Sequence, residues 1–161
     1  IWTLCADAVN FEDDRRYDLV LMNSAYHHIE DDRKRRFLRN AAEHLVPTGE
    51  ILMGEHFLPP YRDRDTFRRS VVSFYEQLLA DLEQRGEQAE AIAVIRRSAL
   101  YCWDGMYEFK VSRQKLHEDI DAAGLRARKS VQVWPKPTAD GADVPVWGSM
   151  ALAIESNSHC R

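Results

Sequence analysis

The sequence predicts an α/β fold in which the first strands form a parallel sheet covered by helices and the last two strands form an antiparallel pair. Short apolar runs alternate with segments of helical periodicity, and these runs match buried strands at residues 1–5, 17–22 and 51–54. Each run is followed by polar side chains, which are Asp7, Asn23, Glu55 and His56. Open α/β sheets bind ligands at the carboxyl ends of their strands, so we expect these four side chains to line one crevice.

The first half of the chain predicts two turns and one helix between the strands. A charged turn at residues 12–16 separates the first two strands. A helix then begins after Asp31 or Asp32 as N-cap, and its apolar face consists of Phe37, Leu38, Ala41, Ala42 and Leu45. Residues 47–49, Pro-Thr-Gly, are expected to end this helix and turn the chain into the third strand.

Residues 62–105 predict a helical insert. The first helix carries an apolar stripe, and Gly86 separates it from a second helix at residues 89–100. Residues 103–107 are predicted as a loop. The stripe is expected to be mainly core, although a helical pair placed after a ligand-side strand end can also form a lid. The stripe contains Phe67, Val71, Val72, Phe74, Tyr75, Leu78, Leu79 and Leu82.

The last part of the chain predicts one helix and two paired strands. Ser112 is a good N-cap for a helix over residues 113–123, and Gly124 closes it. Strands at residues 131–134 and 146–154 are joined by a loop rich in Pro, Gly and Asp, which favours antiparallel pairing. We therefore assign residues 1–155 to a single domain and residues 156–161 to a tail.

Composition excludes several classes of protein. The 161 residues suit one domain with a core, and 45% of them are apolar. The net charge of −4 and the scattered basic residues argue against a nucleic-acid surface, and no apolar run reaches the length of a membrane span. Three widely spaced cysteines fit a reducing cytoplasm better than a disulfide framework.

The candidate catalytic residues follow the second and third strands. His27 and His28 could act as a base or bind a metal, but adjacent helical residues point about 100° apart, so we expect only one of them to serve a site. Glu55 and His56 could form a carboxylate–imidazole pair if the strand has ended before them. Because the chain has neither His-x-x-x-His nor Cys-x-x-Cys, we expect no metal centre.

Several segments together resemble class I S-adenosylmethionine-dependent methyltransferases. The stretch at residues 45–52 is similar to the Leu-Lys-Pro-Gly-Gly turn before that family's fifth strand, with Val46 and Thr48 as departures. The order and spacing of the segments extend the resemblance over nearly the whole chain. The other matching segments are residues 5–8, 17–21, 27–29, 105–109 and 116–124 and the closing strands. The resemblance implies a partial Rossmann-like methyltransferase sheet.

The resemblance also implies roles for individual residues. S-adenosylmethionine would be the cofactor, with Asp7 at the adenine amino group, the Ala8 backbone beside the ring, and Asn23 and Ser24 near the methionine part. Asp7 taken alone is more typical of a turn or helix cap. The side chains facing the substrate would be His27 or His28, Glu55 or His56, and also Tyr26, Trp103, Met106 and Tyr107.

The family's glycine-rich loop and its acidic ribose-binding residue lie before the first strand of this chain. The resemblance therefore implies that they belong to a longer polypeptide, with a second chain as the alternative source, and that residues 1–161 alone are inactive. A homo-oligomer is a further candidate assembly. A new pairing of the first segment is a further alternative, since the sheet would otherwise keep an unpaired edge.

The predicted function is methylation of a small molecule. His28 or His56 is our hypothesis for the base, because a histidine near neutral pKa suits removal of a proton from a hydroxyl or amine. A non-catalytic methyltransferase-like partner subunit is the first alternative. A metal-dependent hydrolase built on the histidines and Glu55 is the second.

Overall fold

The computed structural model describes residues 3–136 and 147–157. Within them, four strands form one sheet in the order β1-β2-β4-β3, where β1 and β2 are parallel and the other two pairs are antiparallel. The predicted parallel pair and the predicted C-terminal antiparallel pair are therefore both confirmed. The strands are β1 (Tyr17–Asn23), β2 (Leu45–Phe57), β3 (Leu125–Trp134) and β4 (Gly148–Ser156).

Four α-helices accompany the sheet, together with a short 3-10 helix directly after β1 (Tyr26–His28). None of the helices in the described residues is both long and apolar enough to cross a membrane. Ser112 caps the last helix through its side chain, as the sequence predicts. The α-helices are α1 (Lys34–Glu43), α2 (Arg64–Gln84), α3 (Ala89–Asp104) and α4 (Arg113–Ala122).

The main core lies between the sheet and the helices α1 and α4. Alternate residues of β2 face this core, so Ile51, Met53 and Phe57 are fully buried. Glu55 lies in the same row and is only 3% exposed. A carboxylate is therefore held in a row of apolar side chains, and such a group is stable there only with hydrogen-bond donors around it.

A second, smaller core lies around α2 and α3. Its buried members include Leu58, Phe74 and Cys102, and Trp134 and Trp147 pack against them. A side-chain capping box formed by Asp63 and Thr66 begins α2. The proposed insert over residues 62–105 thus has its own packed interior next to the carboxyl end of β2.

The described part of the first predicted strand, residues 3–5, does not form a strand. Residues 3–6 have no regular secondary structure, residues 3–8 are all exposed, and residues 1 and 2 lie outside the described part. The Asp7 side chain accepts a hydrogen bond from Val9 N at 3.0 Å and closes a turn. An apolar run becomes a strand only where another strand pairs with it, and no described strand pairs with this one.

Two other predicted boundaries also differ. The helix α1 ends at Glu43, and residues 47–49 already belong to β2. A Cβ on Gly49 would lie 2.8 Å from the Tyr17 carbonyl oxygen. Glycine is therefore needed there because β1 and β2 approach closely, and not because the chain turns. In addition, Trp103 and Asp104 continue α3, which ends at Gly105 with a φ of 67°. Residue 146, where we predicted the last strand to begin, lies outside the described residues.

Candidate functional site

The centre of the candidate site is a buried imidazole–carboxylate pair. The parallel pairing of β1 and β2 places Asn23 beside Gly54, so the segment after β1 passes over the carboxyl end of β2. There Nδ1 of His27 lies 2.6 Å from Oε1 of Glu55, and both side chains are almost completely buried. An ionised carboxylate only accepts hydrogen bonds, so Nδ1 of His27 carries a proton, and in the neutral ring the lone pair is therefore on Nε2.

Backbone donors hold Glu55 in its ionised form. The N–H of His27 donates to Oε2 at 3.2 Å, and the N–H of His56 donates to Oε1 at 2.8 Å. Burial alone raises the pKa of this carboxyl, but the hydrogen bond and charge of His27 and the donation from His56 outweigh it. The pKa of Glu55 is therefore below its ordinary value, and the carboxylate can stabilise a positive charge on His27.

Residues after α3 form the other wall of the site. The backbone N–H of Phe109 donates to the His27 carbonyl oxygen at 2.6 Å. This contact brings Glu108 close, with its Oε2 at 3.6 Å from Nε2 of His27. Glu108 is itself paired with the buried Lys110 at 2.5 Å. Sequence reasoning gave no role to these two charged residues; the available signal was their i, i+2 spacing just before the Ser112 cap.

His28 lies at the surface beside His27, with 4.1 Å between their ring centroids. Its Nδ1 lies 2.8 Å from the carbonyl oxygen of Tyr107. Tyr107 has a φ of 61°, which is rare for a residue with a side chain and clusters at functional sites. This backbone geometry aims the Tyr107 carbonyl at His28, while the Tyr107 ring and the nearby Met106 remain exposed.

His56 faces away from this pair. Its Nδ1 lies 2.6 Å from Oγ of Ser149, and its ring packs edge-on against Phe74 at 6.2 Å. Glu55 and His56 are both inside β2, so their side chains point to opposite faces and do not pair with each other. Burial, followed by the positive charge of Lys110, lowers the pKa of His56.

We predict that the free energy of unfolding falls as the pH is lowered from about the ordinary histidine pKa of 6.5. Below that value the unfolded chain binds a proton at His56 that the folded chain does not bind until a lower pH, so the unfolded state is favoured. Urea unfolding at pH 7.5 and 5.5 measures this. His56→Gln should reduce the loss relative to the parent. An unreduced loss in His56→Gln would contradict the prediction.

Tyr26 lies in the core rather than at the substrate side of the site. It is 1% exposed, and its hydroxyl donates to Asp119 at 2.9 Å. Trp103 is at the end of α3, where Arg68 stacks over its ring at 4.9 Å. Of the predicted substrate residues, Tyr107 contacts the histidine segment through its carbonyl oxygen at His28, and Met106 precedes it in the chain.

Two of the four predicted cofactor residues line a groove along β1, which is the edge strand of the described sheet. Ala8 and Asn23 line a cavity of about 590 Å³, and Leu19 and Leu21 are among its exposed apolar residues. The size suits a small organic ligand. Ser24 has a φ of 51°, and its N–H donates to the Gly54 carbonyl oxygen at 2.8 Å, which continues the contact between β1 and β2.

Neighbouring residues already use most of the hydrogen-bond acceptor positions of the Asp7 carboxylate. Besides Val9 N, its carboxylate accepts hydrogen bonds from Asn10 at 2.6 Å and Arg33 at 2.7 Å. A carboxylate offers about four lone-pair sites, so one acceptor position remains for a ligand. The Val9 hydrogen bond is the largest influence on the Asp7 carboxyl, and together with Arg33 and Asn10 it lowers the pKa.

The sequence matches none of the protein-family models and none of the curated proteins with which it was compared. Its fold, however, is similar to solved structures. The mitomycin 7-O-methyltransferase MmcR is 16% identical with a TM-score of 0.55; the match covers 95% of this chain and 33% of MmcR. The O-methyltransferase NcsB1 from neocarzinostatin biosynthesis, in complex with S-adenosyl-L-homocysteine and 1,4-dihydroxy-2-naphthoic acid, is 11% identical with a TM-score of 0.52, and the match covers 94% of this chain and 32% of NcsB1.

A third similar structure is described as a pericyclic reaction enzyme. It is 9% identical with a TM-score of 0.55, and the match covers 94% of this chain and 29% of that protein. The chain therefore spans about a third of the length of the structures it matches. The predicted Rossmann-like sheet of the class I methyltransferases is confirmed as the fold of this chain, and at such identities the likeness concerns the fold alone.

Proposed function

We propose that the chain forms the catalytic part of an S-adenosylmethionine-dependent methyltransferase that acts on a hydroxyl group of a small aromatic molecule. The observation that supports this most directly is the buried pair of His27 and Glu55 at the carboxyl edge of two parallel strands. Open α/β sheets bind ligands at that edge, and an imidazole held by a carboxylate is suited to general base catalysis.

His27 is the proposed base. Its Nδ1–H is held by Glu55, so Nε2 is the atom that accepts the proton of the acceptor hydroxyl. The Glu55 carboxylate then stabilises the imidazolium. When bound, S-adenosylmethionine supplies an electrophilic methyl group, and alignment of the acceptor oxygen with the methyl–sulfur bond contributes much of the rate. This role replaces our choice of His28 or His56, because neither of them contacts Glu55 through its ring.

The residues around the β1 edge fit the cofactor. Asn23 is exposed at the end of β1, and no described residue bonds its side chain, so it is free to contact the amino acid part. Ala8 lines the same groove, and Asp7 keeps one acceptor position for the adenine amino group. The apolar side chains of Met106 and Tyr107 remain as the proposed acceptor surface.

The acceptor class rests on two supports. Met106 and Tyr107 are exposed in the segment whose Tyr107 carbonyl contacts His28, and they provide apolar contact area for a ring. The similar enzyme NcsB1 was crystallised with a dihydroxynaphthoic acid. A hydroxylated aromatic acid is therefore our first choice of acceptor.

The experiment is equilibrium dialysis and methyl transfer with methyl-labelled S-adenosylmethionine, on the intact gene product and a panel of hydroxylated aromatic acids. We expect saturable cofactor binding and transfer of label to at least one acceptor. Asn23→Ala should weaken cofactor binding, whereas Gln77→Ala on the exposed face of α2 should leave it unchanged. Absence of cofactor binding would refute the proposal. Binding without transfer to any acceptor would favour the non-catalytic partner subunit instead.

A further inference from the structure

We propose that His27, His28 and Glu108 bind one divalent transition-metal ion of the Zn²⁺ or Co²⁺ type. One ring nitrogen of each histidine and one carboxylate oxygen of Glu108 lie within 4.8 Å of one another. Two imidazoles and one carboxylate, with a fourth position open to water, form a ligand set that Zn²⁺ accepts. His27 and His28 are adjacent and Glu108 lies far along the chain, so their spacing matches none of the usual metal-binding motifs.

Both histidines are held in the form that binds a metal. Nδ1 of His27 donates to the Glu55 carboxylate, and Nδ1 of His28 donates to the Tyr107 carbonyl oxygen, because these oxygens only accept. Each ring therefore keeps the lone pair of its Nε2. Metal-binding histidines in proteins nearly always donate their other N–H to a carboxylate or a backbone carbonyl in this way.

The third ligand is close enough to join with a small movement. Oε2 of Glu108 lies 3.6 Å from Nε2 of His27. Ligand atoms on a tetrahedral zinc at about 2.1 Å are separated by roughly 3.4 Å. The remaining contraction, from at most 4.8 Å, falls on His28, whose side chain is exposed and can pivot about its Nδ1 hydrogen bond to the Tyr107 carbonyl oxygen.

The surrounding charges also favour a cation. Glu55 and Glu108 bring two negative charges to the cluster, and Lys110 brings one positive charge against Glu108. With neutral histidines the cluster has one negative charge in excess. Lys110 donates to Oε2 of Glu108, the same oxygen that lies 3.6 Å from Nε2 of His27, so a metal ion bound there would share this oxygen with Lys110, which limits affinity.

Metal binding at His27, His28 and Glu108 would affect methyl transfer, and this consequence rests on the proposed function. The metal would occupy Nε2 of His27, the atom that we propose as the base. Metal and proton transfer then compete for one lone pair, so bound Zn²⁺ is expected to inhibit methyl transfer. Binding itself does not depend on that reaction and can be measured without it.

The test is a Co²⁺ titration of the full chain followed by visible absorption, with Zn²⁺ as competitor. We expect one equivalent of Co²⁺ to give the absorption of a four- or five-coordinate site and Zn²⁺ to displace it. His28→Ala and Glu108→Gln should each weaken binding at least tenfold, and because His28 is exposed its replacement leaves the fold intact. His117→Ala, in α4 and outside the cluster, is the matched control and should bind normally.

Unchanged Co²⁺ affinity in His28→Ala, or no binding to the parent chain below millimolar concentration, would overturn the metal site. Methyl transfer by the intact gene product, assayed with a chelator and then with added Zn²⁺, separates the two proposals. Normal metal binding without any methyl transfer would refute the proposed function and leave the metal site standing. Full methyl transfer at saturating Zn²⁺ would refute the expectation that the metal and the transferred proton compete for Nε2 of His27.

Discussion

Replacement of His27 by alanine is expected to lower the rate of methyl transfer by about 10²–10⁴-fold, the usual contribution of a positioned general base. The reason is that Nε2 of His27 is the proposed basic atom. The ionised Glu55 orients the His27 ring, with its Oε1 at 2.6 Å from Nδ1. Steady-state transfer of labelled methyl to the best hydroxylated acceptor measures the effect. The loss should lie in kcat, because the proton is removed in the transition state.

Three further variants make this result specific. Glu55→Gln should also slow transfer, because an amide cannot stabilise an imidazolium on His27. His28→Ala should retain most of the rate if His27 is the base, and His117→Ala should retain all of it. Cofactor binding by His27→Ala, measured by dialysis, must remain normal for the loss to be chemical. A rate in His27→Ala equal to that of the parent, or a larger loss in His28→Ala, would remove His27 from the proposed role.

The carboxyl end of β1 could be predicted because it depends on the local pattern of apolar and polar residues. An apolar run followed by polar residues marks the end of a buried strand, and β1 does end at Asn23, which lies beside Gly54, whereas β2 continues past Glu55 to Phe57. The same local reasoning failed for residues 3–6. Their apolar pattern is equally strand-like, but strand formation needs a partner strand, and the pattern of one segment holds no information about that partner.

The selection of His27 within the site could not be predicted. Adjacent histidines have the same chemistry, and only the tertiary contact with Glu55, 28 residues away, distinguishes them. Likewise, period-two alternation in β2 shows that Glu55 and His56 face opposite sides but not which side meets the segment after β1. Glu108 and Lys110 were missed for a related reason, since charged residues are expected at the surface unless a partner is known.

Lys34 is the clearest example of a buried charge that sequence does not reveal. It lies in the first turn of α1, where a solvent-exposed lysine is the ordinary expectation, yet it is 0% exposed. Its Nζ donates to the Ile29 carbonyl at 2.5 Å, to Asp31 at 2.8 Å and to the Phe109 carbonyl at 2.8 Å. One ammonium group thus joins α1 to both segments that carry His27 and Glu108.

Lys34→Met is therefore expected to lower the free energy of unfolding by about 3 kcal/mol, because a buried acceptor left without its donor costs roughly 1–3 kcal/mol and two carbonyls lose theirs here. Methionine fills similar volume, so the loss reflects hydrogen bonds more than a cavity. Urea unfolding measures it. Lys129→Met, at an exposed position of β3, should change stability by less than about 0.5 kcal/mol. Equal stabilities for the two variants would show that the Lys34 ammonium does not hold these segments together.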